Sequence, residues 1–229
     1  MRALLPRRGD LTETLATLRE VVLSPRDLLP SLPQGVRPGD DVVVLIHGFM
    51  ASAGVFRPMR KALEDAGAKV ASFSHAPGEG VARIAKKLVR LMAHLPHGAH
   101  VHLVGHSLGG VVARYYVQEL HGARKVAQTI SIASPFFGTR HAKLFPYLVG
   151  RDLHQESEVL DRLRARAHEH DVPHLSLVAE ADRVVVPETS AMFPTGEVVS
   201  FRDKGHNSLL FDERSIALIV DRVRGFARR

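Results

Sequence analysis

From Asp41 onward, short apolar runs alternate with stretches of helical periodicity, and this alternation constrains the chain more than any other feature. Val42-Val43-Val44-Leu45-Ile46 has no polar break, the pattern of a strand buried on both faces of a parallel sheet. Phe56, Met59, Leu63 and Ala66 then share one helical face, with Gly67 as terminator. Lys69–Phe73 reads as the next strand. Residues 79–95 read as a helix through Val81, Ile84, Leu88, Leu91 and Leu95, stopped by Pro96. His100–Val104 is a third strand that runs into a glycine-rich turn, and Val111, Val112, Tyr115 and Tyr116 continue as a helix. Val126–Ile132, His174–Ala179 and Glu197–Phe201 complete the strands, and a last helix covers about 211–226. Repetition of this kind predicts an α/β chain with a mostly parallel six-stranded sheet and helices on both faces, in one domain over 41–229.

The first 40 residues read as an appendage. Leu11, Leu15, Leu18 and Val22 share a face, which predicts an amphipathic helix over 11–23, closed by Ser24-Pro25 and followed by a Pro-rich linker to Asp40. Packing on the body of the protein is the plain expectation, with a lid or membrane-surface role as the alternative. The segment between Pro135 and Pro173 exceeds an ordinary connection between strands and predicts a small cap over 135–173.

Composition removes several function classes. With no cysteine in the chain, disulfides, thiolate metal sites and cysteine nucleophiles are excluded. Aromatic residues make up 6%, there is no Trp, and no aromatic and basic residues interleave, so nucleic acid is not an expected partner. The net charge of +7, with arginines such as Arg222, Arg224, Arg228 and Arg229 near the end, reads either as a solvated surface or as attraction to anionic lipid. The N-terminal stretch lacks the apolar core of a signal peptide and no run is long enough for a spanning helix. A cytoplasmic location is the simplest expectation, with secretion of an already trimmed chain as the alternative.

Gly105-His106-Ser107-Leu108-Gly109 fits G-x-S-x-G, placed between a strand and a helix. A serine lifted on such a turn stands clear of the sheet, and the crowded backbone needs residues without Cβ two before and two after it. The helix behind it directs its N-terminus at developing negative charge. Serine needs a base, and the base an orienting acid. In the chain order Ser, acid, His, His206 follows the last strand and Asp182 follows Leu175–Ala179, with Glu180 and Asp203 as rival acids. Backbone N–H groups of Leu108 and, in the turn His47-Gly48-Phe49, of Phe49 are the expected oxyanion donors.

Taken in order, His47-Gly48-Phe49, Gly105-His106-Ser107-Leu108-Gly109-Gly110, Asp182-Arg183-Val184-Val185-Val186-Pro187 and Gly205-His206-Asn207 make roughly 41–226 resemble the α/β-hydrolase superfamily. Within it, the chain is similar to bacterial triacylglycerol lipases and esterases and to the lipase-like domain of inositol-deacylase proteins. Arg114-Tyr115-Tyr116 and Ser131–Gly138 are similar too. The resemblance implies the α/β-hydrolase fold and an ester hydrolase with Ser107, Asp182 and His206 as triad. It implies no cofactor, and no calcium site either, because Asn207 and Ser208 follow the histidine where larger relatives carry an aspartate.

The expected substrate is a small-molecule or lipid ester. Phe136, Phe137, Leu144, Phe145, Tyr147 and Leu148 make the first half of the cap apolar, either as an acyl groove, with Phe136 and Phe137 as substrate contacts, or as ordinary packing on the sheet. Acyl transfer by the same triad and a non-catalytic lipid-binding module on this fold remain the alternatives. Haloalkane or epoxide chemistry would want aspartate in place of Ser107.

Overall fold

The computed structural model describes residues 8–144 and 147–226. Met1–Arg7, Phe145, Arg228 and Arg229 lie outside the described residues, as do the side chains of Leu11, Leu144, Tyr147 and Leu148.

Six strands, β1 (Asp41–Ile46), β2 (Lys69–Phe73), β3 (His100–His106), β4 (Val126–Ile132), β5 (His174–Ala179) and β6 (Glu197–Phe201), form one sheet in the order β2-β1-β3-β4-β5-β6. Every pairing is parallel. The alternation of side chains explains the layers. Val42, Val44 and Ile46 of β1 join a core on one face, beneath α3 (Val81–Met92) and α4 (Leu108–Glu119). Val43 and Leu45 join a second core on the other face, beneath α2 (Arg57–Asp65) and α8 (Glu213–Phe226). Burial of each such side chain is worth about 2 kcal/mol, so β1 tolerates no polar break.

Between β4 and β5 the chain forms two short helices, α5 (Tyr147–Asp152) and α6 (Glu158–Ala165), which build the cap. A further short helix, α7 (Ser208–Phe211), precedes α8. The linker shields the outer edge of β2, where Ser31 and Ser72 exchange backbone hydrogen bonds in an antiparallel bridge.

The N-terminal helix α1 (Arg8–Leu23) inverts the usual arrangement. It lies against α7 and the β1–α2 turn, but the face bearing Leu15, Leu18 and Val22 is its outer one, with all three more than half exposed. The inner face holds Ala16 and the polar Glu13, Thr17 and Glu20. Hydrogen bonds seat this helix together with Ala16, which is buried, and Leu23, which packs against the second core. Glu13 accepts the backbone N–H groups of Asn207 (2.8 Å) and Ser208 (2.9 Å), and Asn207 Nδ2 donates to Thr17 Oγ1 (3.2 Å).

Candidate active site

β3 ends in Gly105 and His106, and Ser107 leaves it with φ 54° and ψ −120° before α4 begins at Leu108. A non-glycine residue at positive φ is strained, and the surroundings hold it there. The flanking glycines are needed sterically: a Cβ at Gly105 would strike the backbone of Gly109 and Gly110, and one at Gly109 would strike the Ile46 carbonyl. The Ser107 N–H donates to Ile132 O (2.8 Å), which ties the turn to β4.

Asp182 sits just beyond β5 and His206 just beyond β6, and the fold brings them together. His206 Nδ1–H donates to Asp182 Oδ2 at 2.8 Å, while Asp182 Oδ1 accepts the N–H groups of Val184 (2.7 Å) and Val185 (2.9 Å). The carboxylate is thereby locked in orientation. Its burial favours the neutral acid, but the His206 charge, the His206 hydrogen bond and the two N–H groups outweigh burial and hold the pKa below the usual aspartate value. Burial likewise disfavours a charged His206, yet Asp182, with smaller contributions from Glu13 and Glu20, raises its pKa above the ordinary imidazole value. Among the described residues the carboxylate hydrogen-bonded to His206 is that of Asp182, while Glu180 is exposed and Asp203 pairs with Arg214 (3.1 Å).

Ser107 and His206 line one cavity of about 160 Å³, with Gly48, Phe49, His106, Pro135, Thr139, Leu153, Val184, Val185, Asn207 and Glu20. Gly48 passes so close to the elbow that a Cβ there would lie 3.0 Å from Ser107 Cβ. The turn carrying Phe49 is braced by His47, whose Nδ1–H donates to Gly48 O (2.8 Å) and whose Nε2 accepts the His75 N–H (3.0 Å). Burial, reinforced by His75, pushes the His47 pKa down to about 3, so the ring is a neutral brace. His106 is neutral for the same reason, pushed down to about 3 by burial and then by His206, and its Nε2–H donates to His206 O (3.2 Å). Leu108 is the first residue of α4, where a backbone N–H has no acceptor within the helix.

The two cap phenylalanines lie elsewhere than expected for substrate contacts. Phe136 is 1% exposed and packs edge-on against His174 and Phe193, and Phe137 lies beneath the Arg164 guanidinium at the surface. Neither lines the cavity; Pro135, Thr139 and Leu153 are what the cap contributes. Phe136 turns inward because the bend after β4 aims it at the core, a direction that an apolar count along the cap does not contain.

Glu20 and Leu153 were not foreseen. For Glu20 a signal existed in the spacing of Glu13, Thr17 and Glu20, a polar stripe at helical intervals on the face opposite the leucines.

A parallel sheet with helices on both faces, bearing a strained serine turn and an Asp–His pair at its C-terminal edge, defines a hydrolase-type architecture. A family model of the alpha/beta hydrolase fold matches residues 41–170, and the chain belongs to that family. Similar solved structures include the mature lipase BlEst2 of Bacillus licheniformis (TM-score 0.70, 15% identity, covering 84% of this chain and 96% of that one). The monoacylglycerol lipase of Paleococcus ferrophilus is similar at TM-score 0.66 and 18% identity (81% and 94% covered). So is the metagenomic carboxyl esterase MGS0156, at TM-score 0.62 and 19% identity (85% and 78%). At these identities the likeness is one of fold. No curated protein matches the sequence.

Proposed function

We propose that this chain is a serine hydrolase that cleaves carboxylic esters through an acyl-enzyme on Ser107. The observation that carries the reading is the Asp182–His206 pair, joined at 2.8 Å and sharing one cavity with a serine on a strained strand-to-helix turn. In the first half-reaction Ser107 Oγ bonds to the ester carbonyl carbon while its proton passes to His206. Asp182 fixes the imidazole tautomer and stabilises the imidazolium. The N–H groups of Leu108 and Phe49 receive the oxyanion. Collapse breaks the bond to the alcohol oxygen, which takes the proton from His206, and water then repeats the sequence to release the acid. The lipase and esterase names of the structural neighbours agree with an ester substrate.

A cavity of about 160 Å³ lies below the ~300–1,000 Å³ of sites that enclose a drug-sized ligand, which supports short or medium acyl groups held against Pro135, Leu153, Val184 and Val185. Peripheral contact with an anionic lipid surface is part of the same reading. The outer face of α1 and the loop after it expose Leu15, Leu18, Val21, Val22, Leu28 and Leu29 beside the exposed Arg19 and Arg26, on a chain of net charge +7.

The test is Ser107→Ala. Ester turnover is expected to vanish while the melting transition stays within a few degrees of wild type, and a folded alanine variant that kept its rate would overturn the assignment.

A further inference from the structure

The net positive charge of the chain is reversed in the catalytic cavity. Glu20, from the N-terminal helix, carries the formal charge among the lining side chains, apart from the titratable His106 and His206. Among the described residues its carboxylate accepts no hydrogen bond and forms no ion pair. The lining Thr139 is already engaged, its Oγ1 donating to Val184 O (2.6 Å) and accepting from the His141 and Val186 N–H groups, and Asn207 Nδ2 donates to Thr17. Burial, partly offset by His206 and assisted by Glu13, holds the Glu20 pKa above the usual glutamate value. Glu20 is half-buried, and a partly hydrated carboxylate without a protein donor gains a charge-assisted hydrogen bond from a bound molecule that brings one.

Its position says which part of the substrate supplies that donor. Glu20 shares a face of α1 with Glu13 and Thr17, which bond Asn207 and Ser208 directly after His206, so it enters the cavity from the histidine side. That side is where the leaving alcohol departs, because His206 returns the proton to the alcohol oxygen. Pro135, Leu153, Val184 and Val185 supply apolar surface for the acyl group. The helix carrying Glu20 is pinned along its length, by Glu13 to Asn207 and Ser208, and beyond its end by Ser52 Oγ donating to Arg26 O (2.6 Å).

We propose that Glu20 is a specificity residue that accepts a hydrogen bond from a free hydroxyl on the alcohol half of the ester, so that partial esters of polyols are preferred over esters of simple alkanols. This rests on the reading of Ser107 and His206 as nucleophile and base. An uncompensated carboxylate also turns away esters whose alcohol half carries a carboxylate or phosphate.

The experiment compares kcat/KM for glyceryl monobutyrate and propyl butyrate, two esters of like size that differ in free hydroxyls, in wild type, E20Q and E20A. Assays are run on the alkaline plateau, where any change in His206 titration drops out. Wild type is expected to favour the glyceryl ester. E20A is expected to lower that preference by about 10- to 100-fold, the range of a hydrogen bond to a charged acceptor, and the isosteric E20Q by less. Equal losses on both esters would overturn the proposal and leave Glu20 acting through His206 alone. A choline butyrate arm separates hydroxyl from cation recognition: a loss confined to the choline ester would also overturn it. Fluorophosphonate labelling of each variant keeps the two readings apart. Labelled variants with unchanged selectivity refute the role of Glu20, whereas failure of wild type to label strikes at Ser107 itself.

Discussion

Glu13 Oε1 accepts the backbone N–H of Asn207 at 2.8 Å, joining the first helix to the loop that carries His206. The other carboxylate oxygen takes the N–H of Ser208, and a Cβ at Gly205 would collide with this side chain. The histidine loop is thus closed against a helix that belongs to no part of the sheet.

Glu13→Ala is expected to loosen that loop. Hydrogen bonds to a charged acceptor contribute about 1.5–3 kcal/mol, so thermal unfolding should shift down by several degrees. A fall in kcat larger than any rise in KM is expected, since the loop positions the base rather than the ester. Calorimetry with steady-state kinetics checks both.

Asp182→Asn is expected to lower kcat by on the order of 10³–10⁴-fold with little change in fold, because the amide leaves His206 in the wrong tautomer. Glu180→Gln and Asp203→Asn should stay within about twofold of wild type, since neither side chain reaches the histidine. Parallel rate measurements on the three variants separate the acid from its neighbours.

The pH profile follows from His206. Burial lowers its pKa, but the Asp182 charge and hydrogen bond, with Glu13 and Glu20, outweigh burial and raise it above 6.5. The neutral imidazole is the base, so kcat/KM should rise with pH through that raised pKa, with its half-maximal point on the alkaline side of 6.5. Removing the charge of Glu20 should move the midpoint to lower pH. A midpoint below 6.5 in wild type would contradict the electrostatic role of these carboxylates.

Arg114 offers a stability test remote from the nucleophile. The side chain is fully buried, its Nη1 reaches Thr129 Oγ1 and Val172 O at 3.3 Å, and its Nε and Nη2 have no partner among the described residues. Burial pushes its pKa down to about 10, and Phe193 lies 4.3 Å beneath the guanidinium. A buried charge with few hydrogen bonds and no ion-pair partner among the described residues costs free energy, a cost that an apolar side chain of similar volume removes. Arg114→Met is therefore expected to melt at or above the wild-type temperature, and Arg114→Ala, which leaves a cavity, several degrees below it.

β1 was legible in the sequence because a strand buried on both faces writes itself as an unbroken apolar run. β2, β4, β5 and β6 fall where the alternation of short apolar segments with helical stretches places them, although the edge strand β6 is largely exposed. β3 extends two residues further than expected, since Gly105 and His106 still pair with Ser131 and Ile132 while also opening the elbow. The α1 periodicity was legible, but not which face turns inward, because a leucine stripe states amphipathicity without naming the partner. In this chain the inner partner is a row of backbone N–H groups that Glu13 satisfies. Glu20 was hidden for the same reason, as a charged residue on a helix reads as solvated until the neighbouring loop is in place. In the cap, Phe136 and Phe137 are equivalent by composition and separated only by the bend after β4.

The most direct measurement is intact-mass analysis after fluorophosphonate treatment, with peptide mapping of the adduct. One adduct per chain on Ser107, absent from Ser107→Ala and slowed in His206→Ala, is the expected result. A folded wild-type protein that takes no adduct, or takes it on another residue, would contradict the assignment of Ser107 as nucleophile.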